Sequence, residues 1–124
     1  MSEVRCPTIV EEVEKFSSAA DTLETTFLLK LHIPENLIYF KGHFDQYPVV
    51  PGVAQIDWAA SYMQRLMDKK TFFIERIEAL KFINPLRPDD TCWMELQWSA
   101  EKVKASFRLY NEKQKLTFGR FVIR

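Results

Sequence analysis

Two titratable side chains stand out for the chemistry they could perform together. His43 lies in a segment rich in glycine and proline, and Asp57 follows fourteen positions later among apolar residues. Histidine changes charge near neutral pH and can accept a proton, whereas a carboxylic acid kept protonated can donate one. The pair therefore suggests general acid–base catalysis. Residue type alone is also compatible with a non-catalytic interpretation, in which His43 is a structural or solvated loop residue and Asp57 borders a buried face.

A loop and a helix must position this pair. Four residues that restrict the backbone or permit its close approach predict an ordered loop over 41–51 and the start of a helix: Gly42, Pro48, Pro51 and Gly52. The helix is predicted from Gly52 to Met67, because apolar residues recur there at spacings of three and four: Val53, Ile56, Ala60, Met63 and Met67. Asp57 is expected to share that buried stripe, where burial would keep its carboxyl protonated.

The rest of the chain has the pattern of strands. Alternating apolar and polar residues predict strands at Thr22–Ile33, Thr71–Ile83, Thr91–Ser99, Val103–Tyr110 and Lys115–Ile123. Thr8–Phe16 fits either a helix or an edge strand, and we predict a strand, followed by a turn over 17–21. Residues 34–37 are predicted to form one helical turn, and Gly119 to mark a β-bulge. The last four strands are predicted to form an antiparallel meander. This layout predicts an α+β domain whose five or six antiparallel strands curl around one long helix.

Composition limits the class of protein. The 124 residues fit one domain, and 47% hydrophobic residues are ample for a core. Seventeen basic and seventeen acidic residues balance, with no basic block, which argues against a nucleic-acid partner. No apolar run approaches the roughly 20 residues of a membrane span, and the first residues lack a signal-peptide pattern, so we expect a cytoplasmic protein. Cys6 and Cys92 lie far apart, which favours two reduced thiols over a zinc site.

The stretch from Phe40 to Ala59, FKGHFDQYPVVPGVAQIDWA, resembles a known family signature. It is similar to the hot-dog-fold β-hydroxyacyl-(acyl carrier protein) dehydratases of the FabZ/FabA type, which show Gly-His-Phe, then Pro-Val-x-Pro-Gly-Val, then an acidic residue fourteen positions after the histidine. The later segment LKFINPLRPDD resembles the family's strand and proline turn. The IDWA after PGVAQ and the late FGRFVI are similar to a smaller branch, the dehydratases of aryl-polyene biosynthetic clusters.

This chain departs from the family pattern at four positions. Asp45 stands where the family usually has proline after Gly-His-Phe, which places a charge near His43. Asp57 is the acidic residue of the FabA group, whereas FabZ-like enzymes carry glutamate there. Ser61 replaces the usual FabZ glutamine, and the Pro-Gly-Asp turn is Pro88-Asp89-Asp90. FabA enzymes also isomerise their product, but one aspartate does not establish that activity.

The resemblance implies the dehydration of a 3-hydroxyacyl thioester and assigns three catalytic groups. His43 would take the carbon-2 proton, and Asp57 would donate a proton to the departing 3-hydroxyl, directly or through water. Gly52 would offer its backbone N–H at the helix N-terminus to the thioester oxygen. Wall residues of the acyl tunnel are assigned to Phe40, Val49, Trp58 and Tyr62, although aromatic residues at such positions are more often core. The resemblance implies no metal and no cofactor.

The resemblance also implies partners. It predicts a homodimer in which His43 of one subunit faces Asp57 of the other, and it leaves open a higher oligomer or a complex with another hot-dog subunit. The substrate would arrive on a phosphopantetheine arm of an acidic acyl carrier protein. A basic docking patch is assigned to these residues, each of which has an ordinary solvated surface position as its simpler reading: Lys41, Arg65, Lys69, Lys70, Lys81 and Arg87.

Two other functions remain compatible with the residues. A hot-dog thioesterase would release a free thiol instead of an enoyl thioester. A non-catalytic acyl-binding partner subunit would need neither His43 nor Asp57. The motif register favours the dehydratase.

Overall fold

Helix and strand positions follow the predicted order closely. The computed structural model describes the chain except residues 1–3, 20–21, 41–47, 67–72, 100–103 and 124, and the side chains at 14–19, 22–24 and 66. The described part contains strands β1 (Thr8–Ala19) and β2 (Thr22–His32), a short 3-10 helix (Ile38–Phe40), helix α1 (Gly52–Leu66), and strands β3 (Ile74–Phe82), β4 (Thr91–Ser99), β5 (Lys104–Tyr110) and β6 (Lys115–Ile123). None of its helices has the length and apolar character needed to cross a bilayer.

The six strands form one antiparallel sheet in the order β1-β2-β4-β5-β6-β3. The predicted meander is correct for β4, β5 and β6 and wrong for β3, which pairs with β6 at the far edge. The connection after β3 returns past the helix N-terminus, where the Val50 N–H donates to the Leu86 carbonyl at 2.7 Å. Strand β4 can therefore pair with β2 instead of β3.

The core lies between α1 and the inner face of the sheet. Alternate residues of β2 and β4 are buried as the period of two predicts: Phe27, Leu29, Leu31, Cys92, Met94, Leu96 and Trp98. From the helix side, Trp58, Tyr62 and Met63 pack into the same cluster. One helix covering one sheet face confirms the predicted α+β class.

Helix α1 turns a different face to the core from the one predicted. Its buried residues are Ala54, Gln55, Trp58, Ala59, Tyr62 and Met63. Of the predicted stripe, only Met63 is fully buried among the described residues, and Val53 is 77% exposed. The two aromatic side chains bury far more area than Val53 and Ala60, so the aromatic face occupies the core. Ile56 and Ala60 of the predicted stripe are half-buried and pack against the margin of the core, and Val53 is left on the surface.

Smaller differences concern turns. The strand predicted at Thr8–Phe16 is present, but it continues through Ser17–Ala19, where a turn was expected, because Ala19 pairs with Thr22. Residues 34–37 form one turn, in which the Leu37 N–H donates to the Pro34 carbonyl at 3.3 Å, and a 3-10 helix follows at Ile38–Phe40.

The bulge predicted at Gly119 lies in the neighbouring strand. Gly119 pairs regularly with Phe107, whereas the register between β3 and β6 shifts between Glu78 and Lys81. Ala79, inside that shift, has a φ of 52°. Gly119 has a packing role, since a Cβ there would lie 2.4 Å from the Phe107 ring.

Candidate active site

The N-terminus of α1 presents backbone donors at the surface. Pro51 precedes the helix, and its carbonyl accepts hydrogen bonds from the N–H groups of Ala54 and Gln55 at 3.1 and 3.3 Å. The N–H groups at the first helical positions have no acceptor within a helix, and they carry its positive pole. The Gly52 N–H is the first of these donors, as the sequence predicts.

A groove of about 280 Å³ lies beside this helix tip. Its walls are Val49, Val50, Gly52, Gln55, Phe82, Ile83, Asn84 and Pro85. The ring of Phe82 stands directly over Gly52, because a Cβ at position 52 would lie 2.4 Å from the Phe82 Cζ atom. Glycine is therefore the residue that leaves room for both the ring and the groove. Val49, a predicted wall residue, lines this groove.

Asp57 lies on the exposed face of α1, five residues after Gly52. At about 1.5 Å per residue, the two positions are separated by roughly 7.5 Å along the helix axis. The expectation that Asp57 is buried within its own subunit is wrong, because the aromatic face of the helix takes the core position. Asp57 instead shares the outer face with Val53 and the half-buried Ile56.

His43 lies outside the described residues, and so do three predicted docking residues, Lys41, Lys69 and Lys70. The structure describes the chain on both sides of the histidine segment. Phe40, half-buried, donates its N–H to the Leu37 carbonyl at 3.0 Å and packs against the core. The roles assigned to His43 and Phe40 stay predictions.

Trp58 and Tyr62 are core residues in this subunit. The Trp58 indole N–H donates to the Arg5 carbonyl at 2.9 Å, and the Tyr39 ring meets the indole edge-on at 6.3 Å between centroids. Burial raises the pKa of the Tyr62 hydroxyl well above its usual value, and the nearby Cys6 adds to this effect. Both side chains point away from the outer face that carries Asp57, so the described subunit does not bring them into the groove with Val49.

The described cations of the predicted docking patch lie on three separate elements. Arg65, at the end of α1, forms an ion pair with Glu12 of β1 at 3.1 Å. Arg87 lies in the connection before β4, where its backbone N–H donates to an Asp90 carboxyl oxygen at 2.9 Å. Lys81 is exposed on β3. The docking role of these residues stays a prediction.

The sequence analysis missed two polar residues beside the groove. Gln55 and Thr117 are both buried and hydrogen-bonded to each other, and Gln55 also reaches the Val50 carbonyl. The sequence signal that could have identified Gln55 is its position on the same helix face as Trp58, Ala59 and Tyr62.

The described part of the chain contains no cluster of three His, Cys, Asp or Glu side chains that could bind a metal ion. Cys6 is exposed and Cys92 buried, and both thiols are free. Burial raises the pKa of the Cys92 thiol to about 12.

Comparison with known proteins identifies the family. A single helix packed on a six-stranded antiparallel sheet, with an exposed helix tip at the sheet edge, defines a hot-dog-fold protein. The family model described as ApeI dehydratase matches residues 19–120, and the chain therefore belongs to the ApeI-like dehydratase family. The family expected from the sequence is thus confirmed.

Solved structures agree with this assignment. The dehydratase heterocomplex ApeI:P from Xenorhabdus doucetiae aligns with a TM-score of 0.77 and 29% identity, covering 95% of this chain and 97% of that one. An uncharacterized protein from Erwinia carotovora subsp. atroseptica aligns with a TM-score of 0.76 and 26% identity, covering 96% and 94%.

Curated relatives are similar over a shorter region. The 3-hydroxyacyl-(acyl-carrier-protein) dehydratase FabZ of Fusobacterium nucleatum subsp. nucleatum is 34% identical over 83 residues, which are 63% of this chain and 57% of the relative. FabZ of Caulobacter vibrioides is 37% identical over 67 residues, 48% of this chain and 42% of the relative. The similarity thus spans only about half the length of these relatives.

Proposed function

We propose that the protein dehydrates 3-hydroxyacyl thioesters on an acyl carrier protein to trans-2-enoyl thioesters, in fatty-acid or aryl-polyene chain elongation. One observation carries the proposal: the backbone of Gly52 at the helix tip opens onto a groove walled by Val49 and Phe82, and the exposed Asp57 carboxyl follows on the same helix, roughly 7.5 Å further along its axis. The family membership and the names of the relatives support the same reaction. Two free thiols suit a cytoplasmic location.

The mechanism uses three groups of this chain. His43 removes the carbon-2 proton, and the developing negative charge on the thioester oxygen is stabilised by the Gly52 N–H. Protonated Asp57 gives its proton to the departing 3-hydroxyl, which leaves as water while the carbon–carbon double bond forms. His43 then carries one proton more and Asp57 one fewer, and transfer of that proton through water restores the starting state.

This mechanism requires a second subunit. Asp57 needs a dry environment to remain a proton donor, and its own subunit leaves it exposed. Large apolar side chains are exposed at the helix tip and on and beside β3: Val53, Phe73, Ile77, Leu80, Phe82 and Ile83. Strand β3 is also an edge strand, with backbone groups free to pair. We propose that a second copy of the chain covers this surface and brings its His43 to Asp57.

The ApeI:P complex from Xenorhabdus doucetiae is a heterocomplex. This supports a second arrangement, in which a different hot-dog subunit covers the β3 edge and one of the two subunits only binds the acyl chain.

The test is an assay with a carrier protein loaded with 3-hydroxyacyl chains of graded length, including one with an aryl end. Mass spectrometry of the carrier protein should show loss of water, and free thiol should stay constant. Asp57→Asn and His43→Ala should each lower the rate by about 10² to 10⁴-fold, the usual contribution of a positioned acid or base. Glu11→Gln is the matched control, since Glu11 is an exposed carboxylate on β1.

Three outcomes would contradict the proposal. Release of free thiol would indicate a thioesterase. No conversion by the dimeric protein, with an authentic dehydratase active in parallel, would indicate an acyl-binding subunit. Wild-type rates in both variants would remove His43 and Asp57 from the mechanism.

A further inference from the structure

Gln55 and Thr117 are the two buried polar side chains of the described residues, and they are bonded to each other. They are 3% and 2% exposed, within a core that is otherwise apolar. The Thr117 hydroxyl donates to the Gln55 Oε1 atom at 2.5 Å, and the Gln55 Nε2 atom donates to the Val50 carbonyl at 3.2 Å. A continuous chain of hydrogen bonds thus runs from β6 through α1 to the segment before the helix.

The chemistry of the partners determines the orientation of the Gln55 amide. A backbone carbonyl only accepts, so the Nε2 atom of Gln55 must face Val50, and the Oε1 atom is left for the Thr117 hydroxyl. Exchanging the two amide atoms would set two oxygens against each other at Val50. The Val50 carbonyl therefore sets the orientation of the amide, and the Thr117 hydroxyl, by donating to Oε1, holds the Gln55 side chain in that position.

Val50 is held on both of its peptide groups. Its carbonyl accepts from Gln55, and its N–H donates to the Leu86 carbonyl at 2.7 Å. The next residue is Pro51, whose ring restricts φ, and Gly52 follows. Little backbone freedom remains between the held residue and the Gly52 N–H. Two apolar side chains could fill the volume of Gln55 and Thr117 without burying polar groups. A buried polar network whose hydrogen bonds are all made makes its surroundings more rigid, and this is what the Gln55–Thr117 pair adds here.

We infer that Gln55 is a positioning residue, held in register by Thr117, which fixes the Val50–Gly52 backbone so that the Gly52 N–H meets the thioester oxygen. This inference rests on the proposed dehydration. Gln55 acts through the backbone and takes no proton. Its effect belongs to the step in which charge develops on the oxygen, so it should appear in kcat more than in KM.

Steady-state kinetics of near-isosteric variants test the inference. Thr117→Val and Gln55→Met keep the volume and remove the hydrogen bonds. Each should lower kcat by about 10- to 100-fold, as expected for a small misplacement of a catalytic group, with KM changed by less than about threefold. Thr117→Ser keeps the hydroxyl and should retain most of the wild-type kcat.

A core variant separates positioning from general stability. Leu29→Val shortens a buried side chain in β2, away from β6 and the helix tip. It should lower the urea midpoint while leaving kcat unchanged at temperatures where the protein is folded. The inference is overturned if Thr117→Val and Gln55→Met keep the wild-type kcat, or if Leu29→Val loses kcat in the same proportion to its loss of stability.

Amide NMR of the wild-type and Thr117→Val proteins tests whether Thr117 fixes the Gly52 backbone, even if the wild type shows no dehydratase activity. The Gly52 amide should exchange faster with solvent and broaden in Thr117→Val, and the β2 amides should not change. An unchanged Gly52 resonance would overturn the inference, whereas absent wild-type activity would overturn only the proposed function.

Discussion

The two edges of the sheet differ in chemistry. Edge β1 exposes valines, but it alternates them with the carboxylates of Glu11 and Glu12. Edge β3 also carries charged residues, but Arg76 pairs with Glu75 and Glu78 within the strand, and the strand exposes larger apolar residues, Ile77 and Phe82 among them. Uncompensated like charges on an edge strand oppose pairing with a second copy, whereas exposed apolar side chains favour it. Phe82 also stands over Gly52, so the edge suited to a partner is the edge that carries the candidate site.

The largest expected effect comes from placing a charge on the apolar edge. Ile77→Lys should raise the dimer dissociation constant at least 100-fold, about 2.7 kcal/mol, because a buried lysine at a subunit contact would lose its hydration. Dehydration should fall with the dimer population. Val13→Lys on β1 is the matched control and should stay dimeric. Analytical ultracentrifugation measures both, and a dimeric, active Ile77→Lys protein would rule out β3 as the contact.

Two glycines beside phenylalanine rings should respond differently to alanine. A Cβ at Gly119 or at Gly52 would lie 2.4 Å from a ring, but Phe107 is 0% exposed and Phe82 is 51% exposed. Gly119→Ala should cost about 1–3 kcal/mol of unfolding free energy, as overpacking does, because the Phe107 ring cannot move aside. Urea unfolding measures this loss.

Gly52→Ala should cost less unfolding free energy than Gly119→Ala, since Phe82 lies on the surface of the subunit and not within its core. It should lower kcat/KM on the order of tenfold, because the methyl group and the displaced ring enter the groove. Equal destabilisation by both alanines would contradict this difference between the core and the β3 edge.

The irregular positions of the two edge strands provide a smaller contrast. Ala79 in β3 has a φ of 52°, a left-handed conformation that suits glycine, whereas the register shift in β1 leaves Val10 unpaired. Ala79→Gly should raise the unfolding free energy by about 0.5–1 kcal/mol. Val10→Gly should lower it, because glycine gains freedom in the unfolded chain and no strain is relieved. Thermal unfolding of both variants is the measurement, and a loss of stability in Ala79→Gly would refute the strain.

The smallest effect is expected where β1 meets the helix. Glu12 and Arg65 form an ion pair in which both side chains are about half exposed, at 50% and 55%. Such exposed pairs contribute about 0.2–1 kcal/mol, and salt weakens them. Glu12→Gln should therefore lower the urea midpoint slightly at low salt and hardly at all at high salt. A large, salt-independent loss would show that β1 depends on this contact more than an exposed pair explains.

Local pattern was sufficient for most elements. The period of two identified β4 and β6 with their observed bounds, and it also identified the buried alternation of β2. The helix from Gly52 was found from its spacing, because side chains one turn apart share a face. The partner of β3 was not found, since strand order depends on contacts between residues far apart in the chain.

The candidate site was predictable in part. Gly52 at a helix start and Val49 in a groove follow from glycine, proline and the loop they shape. The position of Asp57 was misjudged, because α1 has two apolar faces and a sequence period cannot say which of them packs on its own sheet. The Gln55–Thr117 bond joins residues 62 positions apart, and no local spacing relates them.

The sequence by itself determined the family signature, the antiparallel strands and the single helix, because these depend on residue types at short spacing. The tertiary structure decided which helix face is buried, which strand forms the apolar edge, and that a threonine on β6 holds a glutamine on α1. Those outcomes depend on which distant segments compete for the same core volume, and that competition takes place only in the folded chain.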